Sequence, residues 1–203
     1  MRIDVNGTLM EGRRFIAANK GKALICLGLA LVAMVVGIAN ALSIEEVTRQ
    51  GLMRFNVFLV LAGERSFWGY FFFRFLLLFL LVIAISVVGF RPAVSWLSFV
   101  VVILFSYQAS YFICIMFMYG TFAVLPLMLV VVVPFSLIAL CVLIFYSCFI
   151  LKLSTMAKVC RISDISYYVK SVLLPLIFAS LVLLVLAIIE GVLVMLFTIG
   201  ITM

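Results

Sequence analysis

Few side chains in this sequence can do acid–base or metal chemistry. There are seven carboxylates, five cysteines and no histidine among 203 residues. Without histidine, neither a Ser-His-Asp nor a Cys-His arrangement can be assembled, and zinc sites built on imidazole are excluded. The cysteines (Cys26, Cys114, Cys141, Cys148, Cys160) show no CxxC spacing, and four lie in apolar runs, where they read as small packing residues. No GxxxxGK[ST] loop is present to cradle a nucleotide phosphate. Paired carboxylates remain. Glu45 and Glu46 are adjacent, hence not on one helix face, whereas Glu64 could in principle meet Glu190. A paired-acid hydrolase needs both acids converging in a cleft. The reading is therefore of a non-enzyme, with no catalytic, cofactor-binding or metal-binding residues, and with its loop acids solvated or salt-bridged.

Glu190 needs a different account. It is the single charge in "LVLLVLAIIEGVLVMLFTIG", residues 181–200. A charged side chain at the centre of a bilayer costs about 3 kcal/mol on insertion scales, so it needs a partner, a proton or a way out. The candidate partners are Arg65 and Arg74, which flank the cluster "SFWGYFFF" with its Trp68 and Tyr70.

The elements that must position these residues follow from composition. The chain is 69% hydrophobic and 10% charged, with a mean hydropathy of +1.49. Soluble domains carry about 25% charged residues, so this is an integral membrane protein. Long unbroken apolar runs call for helices, since barrel strands would alternate over about ten residues. The expected fold is all-α: a single transmembrane domain over 1–203, a polytopic helical bundle with about five crossings plus re-entrant or interfacial helical segments.

Residues 1–22 form a basic N-terminus with Arg2, Arg13, Arg14, Lys20 and Lys22. The apolar run 23–42 follows, and its "ANA" at 39–41 resembles a signal-peptide cleavage site. The run is long enough to span, and it is read as an uncleaved first helix. Glycines in its "LGLALVAMVVG" read as packing features. Residues 43–72 balance Glu45, Glu46 and Glu64 against Arg49, Arg54 and Arg65, and read as an outer interfacial segment ending in an aromatic belt at Trp68 and Tyr70. A second span runs from about Phe72 to Phe90. Arg91 and Pro92 then end it and start the third, 93–118, whose polar "SYQASY" should face other helices.

The run 119–151 would reach ~50 Å as one helix, against a core of ~30 Å. Pro126 and Pro134 lie inside it, so 119–133 is expected to dip in and out as a re-entrant piece and 134–151 to cross; one long kinked helix is the alternative. Residues 152–170 carry four cations against Asp164 and read as a cytoplasmic loop. For the last run, two placements of Glu190 compete. In the favoured one the crossing starts near Ser171, with Pro175 suited to a helix start, and turns at Glu190-Gly191 after about 20 residues. The acid then pairs with Arg65 or Arg74 near the outer headgroups, and "GVLVMLFTIGITM" folds back. In the other, the helix runs through and the acid lies deeper. Ten of the fourteen cations (Arg2, Arg13, Arg14, Lys20, Lys22, Arg91, Lys152, Lys158, Arg161, Lys170) then fall inside, which orients the N-terminus to the cytoplasm and the C-terminus outside.

The order of parts resembles the stage II sporulation protein M family of bacterial membrane proteins. Pro126 and Pro134 before "SCFILKLS", and Glu190 in "LAIIEGVL", carry the resemblance over roughly residues 20–195. It implies a non-enzymatic scaffold in the bacterial cytoplasmic membrane. Such a scaffold places peptidoglycan-remodelling enzymes during engulfment in sporulation. Expected partners are other membrane or membrane-anchored proteins (peptidoglycan hydrolases above all), the lipid bilayer and a second copy of the chain, with no nucleic acid and no cofactor. Glu64, Arg65, Trp68, Tyr70, Arg74, Pro126, Pro134 and Glu190 are the candidate structural or partner-binding residues. The competing class is a permease-like transporter subunit working with a separate ATPase, in which 119–133 and Glu190 would line a polar path.

Overall fold

Lipid tails are as apolar as leucine, so a helix in a bilayer gains little by burying its large side chains and more by letting backbones approach. The first helix follows that rule, and the later ones add large side chains such as Leu78, Leu143 and Leu183 to the core. A computed structural model describes residues 5–43, 67–91, 93–119, 128–159 and 165–202. Helix α1, Val5–Ser43, buries Cys26, Ala30, Ala33, Gly37 and Ala41, spaced three or four apart, and turns Leu24, Ile25, Val32 and Val35 outward. Helix α2, Phe67–Gly89, buries Phe71, Arg74, Leu78, Val82, Ile85 and Gly89 on one stripe. Helix α3 is Leu97–Tyr119. One π turn, Met128–Val132, leads into α4, Val133–Val159, which buries Ser136, Leu140, Leu143, Ser147, Ile150 and Ser154. Helix α5, Ile165–Thr202, buries Val172, Ala179, Leu183, Ala187, Glu190 and Val194.

Helix α4 is the hub and touches the other four, while α1 lies along α3 and α5 along α2. Leu78, Val82, Ile85, Val102, Leu143, Ile150 and Leu183 meet at the centre. Five stretches are long and apolar enough to cross a membrane: Asn19–Ser43, Phe71–Gly89, Leu97–Ile115, Leu129–Met156 and Tyr168–Leu196. The protein is thus an all-α polytopic membrane bundle.

Several boundaries differ from the sequence expectation. The basic stretch 152–170 is mostly not a loop: α4 runs to Val159 and α5 starts at Ile165. Residues 152–159 contain no proline or glycine to stop a helix, so the charges mark the edge of the apolar span rather than the end of the helix. In the same way α1 reaches back to Val5 through the basic N-terminus. Of the interfacial segment 43–72, residues 67–72 belong to α2, and 44–66 lie outside the described residues. Pro92 also lies outside them. Helix α3 begins only at Leu97, after a turn in which the Val94 N–H donates to the Arg91 carbonyl at 3.0 Å.

Pro134 does not begin the fourth crossing either. Residues 128–133 are helical and continuous with α4, and only 120–127 and Pro126 of the proposed re-entrant piece lie outside the described residues. Proline lacks an N–H and crowds the carbonyl four residues back, here Val130. A π turn, Met128–Val132, lies just before Pro134, where the helix lacks that bond. Pro175 likewise sits inside α5, ten residues after its start, rather than at its beginning.

Candidate functional site

Arg74, Ser136 and Glu190 come from α2, α4 and α5, and each falls on the core-facing stripe of its helix. The Arg74 Nε donates to Glu190 Oε2 at 3.0 Å, and its Nη2 donates to Ser136 Oγ at 2.9 Å. Glu190 is 0% exposed and Arg74 9%. One planar guanidinium therefore ties three helices together with charge-assisted bonds. Of the two arginines considered for Glu190, Arg74 is the partner, and Arg65 lies outside the described residues.

The favoured placement of Glu190 is corrected on one point. Helix α5 does not turn at Glu190-Gly191 but continues twelve residues further, to Thr202, so "GVLVMLFTIGITM" does not fold back up to that residue. A helix needs no end at an acid whose charge is met sideways by another helix, and Gly191 is buried within it. The midpoint of Tyr168–Leu196 is residue 182, eight residues before Glu190. At 1.5 Å per residue that is ~12 Å, against a half-thickness of about 15 Å for the hydrocarbon core. The acid therefore lies toward the C-terminal end of the described apolar stretch rather than at its midpoint.

The other expected residues are distributed unevenly. Trp68 stands at the start of α2, 63% exposed and stacked on Phe72 at 5.9 Å. Tyr70 is in the same turn, with its side chain outside the described ones. Glu64 and Pro126 lie outside the described residues, so a meeting of Glu64 with Glu190 does too. Pro134 sits two residues before Ser136 and makes no part of the bonded cluster described above.

A second polar cluster closes the opposite end of the bundle. Ser86 Oγ and Tyr146 OH share a hydrogen bond of 2.6 Å, and Tyr168 OH donates to the Ser86 carbonyl at 2.9 Å. Between α1 and α3, Asn40 Nδ2 donates to Tyr107 OH at 3.1 Å, from the polar patch expected to face other helices. Ser106 and Ser110 of that patch are buried, each bonded to a carbonyl of its own helix. Ser136, Ser86, Tyr146 and Tyr168 were not anticipated. For Ser136 the signal was spacing: Ser136, Leu140, Leu143, Ser147, Ile150 and Ser154 step by four and three along one face.

Among the described residues no three of His, Cys, Asp or Glu come together. A cleft of about 350 Å³ opens between α1, α3 and α4 with Ser136 in its wall, and its other walls are largely apolar: Ile38, Phe105, Ile113, Phe117 and Leu137. The arrangement can clamp helices, and Arg74 spends two of its donors doing so. Compared with family models, with curated proteins and with solved structures, the chain matches none.

Proposed function

We propose that this protein is a non-enzymatic scaffold of the bacterial cytoplasmic membrane that recruits or positions cell-wall-remodelling partners, in the manner implied by its resemblance to stage II sporulation protein M proteins. One observation carries the reading. The intramembrane acid is sealed and neutralised at the first turns of α2, the helix that directly follows the segment 44–66. A clamp there fixes the first turns of α2, on which Trp68 is exposed. The N-terminus is cytoplasmic and the Glu190 end faces outward in this account, so partners meet the 44–66 side. A transport subunit would instead need its acid to open onto a wet path, and the cleft nearest the clamp has largely apolar walls.

Two measurements test this. With the other four cysteines replaced by alanine, Cys160 is expected to react with a membrane-impermeant thiol reagent only after the membrane is opened. A cysteine placed at Arg49 reacts in intact cells. Labelling of both from one side overturns the orientation. For function, the full-length protein is purified from its own cells and peptidoglycan hydrolases are sought with it. They are expected with the wild type and lost on Trp68→Ala combined with Tyr70→Ala, with the yield of folded protein unchanged. Recovery of an ATPase subunit in place of any hydrolase, with ATPase activity stimulated by the complex, overturns the scaffold in favour of transport.

A further inference from the structure

At the end of the bundle opposite Glu190, α1 and α4 diverge and leave a cleft of about 200 Å³. Its walls are Ala23, Leu24 and Leu27 of α1 and Cys141, Phe145 and Cys148 of α4. Leu24, Leu27, Cys141 and Phe145 are all exposed, so the cleft opens sideways, toward whatever surrounds the helices. Those helices are apolar enough to cross a membrane, so what surrounds them at this level is hydrocarbon. The volume equals that of roughly seven liquid waters at about 30 Å³ each, enough for part of one acyl chain and too little for a headgroup.

The mouth of the cleft is polar and positive. Asn19 and Lys20 close it at the first residues of the α1 span. On α4 the lining residues Cys141, Phe145 and Cys148 step by four and three, and the next step of four along that face is Lys152. Helix α4 runs antiparallel to α1, so Lys152 lies at the same end as Lys20. The one carboxylate among the described side chains, Glu190, sits at the far end of the bundle. An apolar slot running into the bilayer from a cationic mouth at its edge matches one chemistry: a negatively charged phosphate joined to a hydrocarbon chain. Basic pockets between transmembrane helices hold anionic lipid headgroups in this way.

We propose that the α1–α4 cleft binds one anionic phospholipid, with its phosphate on Lys20 and Lys152 and an acyl chain between Leu24 and Phe145. The site is independent of the scaffold reading. It gives the long α1 a lipid-filled joint with the hub helix.

Native mass spectrometry of the full-length protein in a non-ionic detergent tests the site, with phosphatidylglycerol and phosphatidylcholine of the same chains added in turn. One phosphatidylglycerol is expected to be retained, with a preference of roughly twenty-five-fold from two lysines at about fivefold each. Lys20→Gln or Lys152→Gln alone lowers the preference about fivefold, and the double variant abolishes it. Ala23→Phe, which fills the slot, lowers binding of both lipids. Leu29→Phe, on the outward face of α1, lowers neither. Equal retention of the two lipids by the wild type, or a preference that survives in the double variant, overturns the proposal. So does displacement by dihexanoyl phosphatidylglycerol or inorganic phosphate as effective as by the long-chain lipid, because no acyl chain then occupies the slot. Lys20 is exposed, so its variant keeps the test readable should Ala23→Phe not fold.

Discussion

Arg74→Ala is expected to destabilise the protein by roughly 3–5 kcal/mol, whereas Arg74→Met combined with Glu190→Met recovers most of that loss. The reason is asymmetry. Two charges taken out of water recover their desolvation only by meeting each other, so the intact pair adds little net stability. Removing one partner leaves the other charge buried and unmet. Arg74→Ala leaves Glu190, 0% exposed, without its 3.0 Å partner. Glu190→Gln is milder, since an amide oxygen still accepts from Arg74 Nε, but it leaves the guanidinium charge buried. The double methionine variant removes both charges, fills similar volume, and leaves Ser136 as a lone hydroxyl that can turn to a carbonyl of its own helix, as Ser106 does toward Val102 at 2.8 Å. Reversible unfolding in detergent, run as a double-mutant cycle, gives the coupling between the two positions. A coupling below about 0.5 kcal/mol, the level at which distant sites simply add, means the pair does not hold the bundle. The same variants bear on function. If the clamp only positions the segment before α2, the double methionine variant keeps hydrolase recovery while Arg74→Ala loses it.

How far the sequence announced this site is best judged helix by helix. Glu190 and Arg74 stood out because charge in an apolar run is costly, and that cost made Arg74, with Arg65, a candidate partner for Glu190. Ser136 did not stand out. A serine in a membrane helix can bond back to its own carbonyls and so raises no alarm by itself. The helix ends were misread for a related reason. Lys152, Lys158 and Lys170 record where hydrocarbon stops, and helical backbone has no need to stop there, so α4 and α5 continue to Val159 and from Ile165. Number and class of helices were legible from apolar length alone, because in a bilayer every backbone group must be satisfied within the segment. Which face of each helix turns inward was not. Helix α5 is apolar almost all round, so hydrophobic periodicity, the usual guide in water, has nothing to resolve. Size and polarity resolve it in part: Ala179, Ala187, Glu190 and Gly191 mark the protein-facing stripe, which Leu183 and Leu186 complete, while Leu174, Phe178 and Leu181 face out.

Two glycines of α1 put that rule to its sharpest test, because the same substitution at each should act in opposite directions. Gly28 and Gly37 are nine residues apart, which at 100° per residue places them about 180° apart on the helix. Their spacing alone says that only one can face the bundle. The structure selects Gly37: a Cβ built there would lie 2.6 Å from the Tyr107 carbonyl oxygen and 3.3 Å from the Tyr111 nitrogen, both backbone atoms of α3. Backbone cannot swing aside as a long side chain can. At Gly28 a Cβ meets nothing within 4 Å. Gly37→Ala is therefore expected to cost about 1–3 kcal/mol as α1 is pushed off α3, its most extensive neighbour, and the Asn40–Tyr107 bond one turn further is stretched with it. Gly28→Ala adds helix propensity with no clash and is expected to be neutral or to stabilise by up to about 1 kcal/mol. Thermal unfolding of both variants in the same detergent gives the two signs side by side. Two equal losses would mean that α1 packs on both faces, against a second copy or a partner as well as against α3. Two neutral results would mean that α1 does not sit in this register on α3, and the small-residue stripe from Cys26 to Ala41 would lose its meaning.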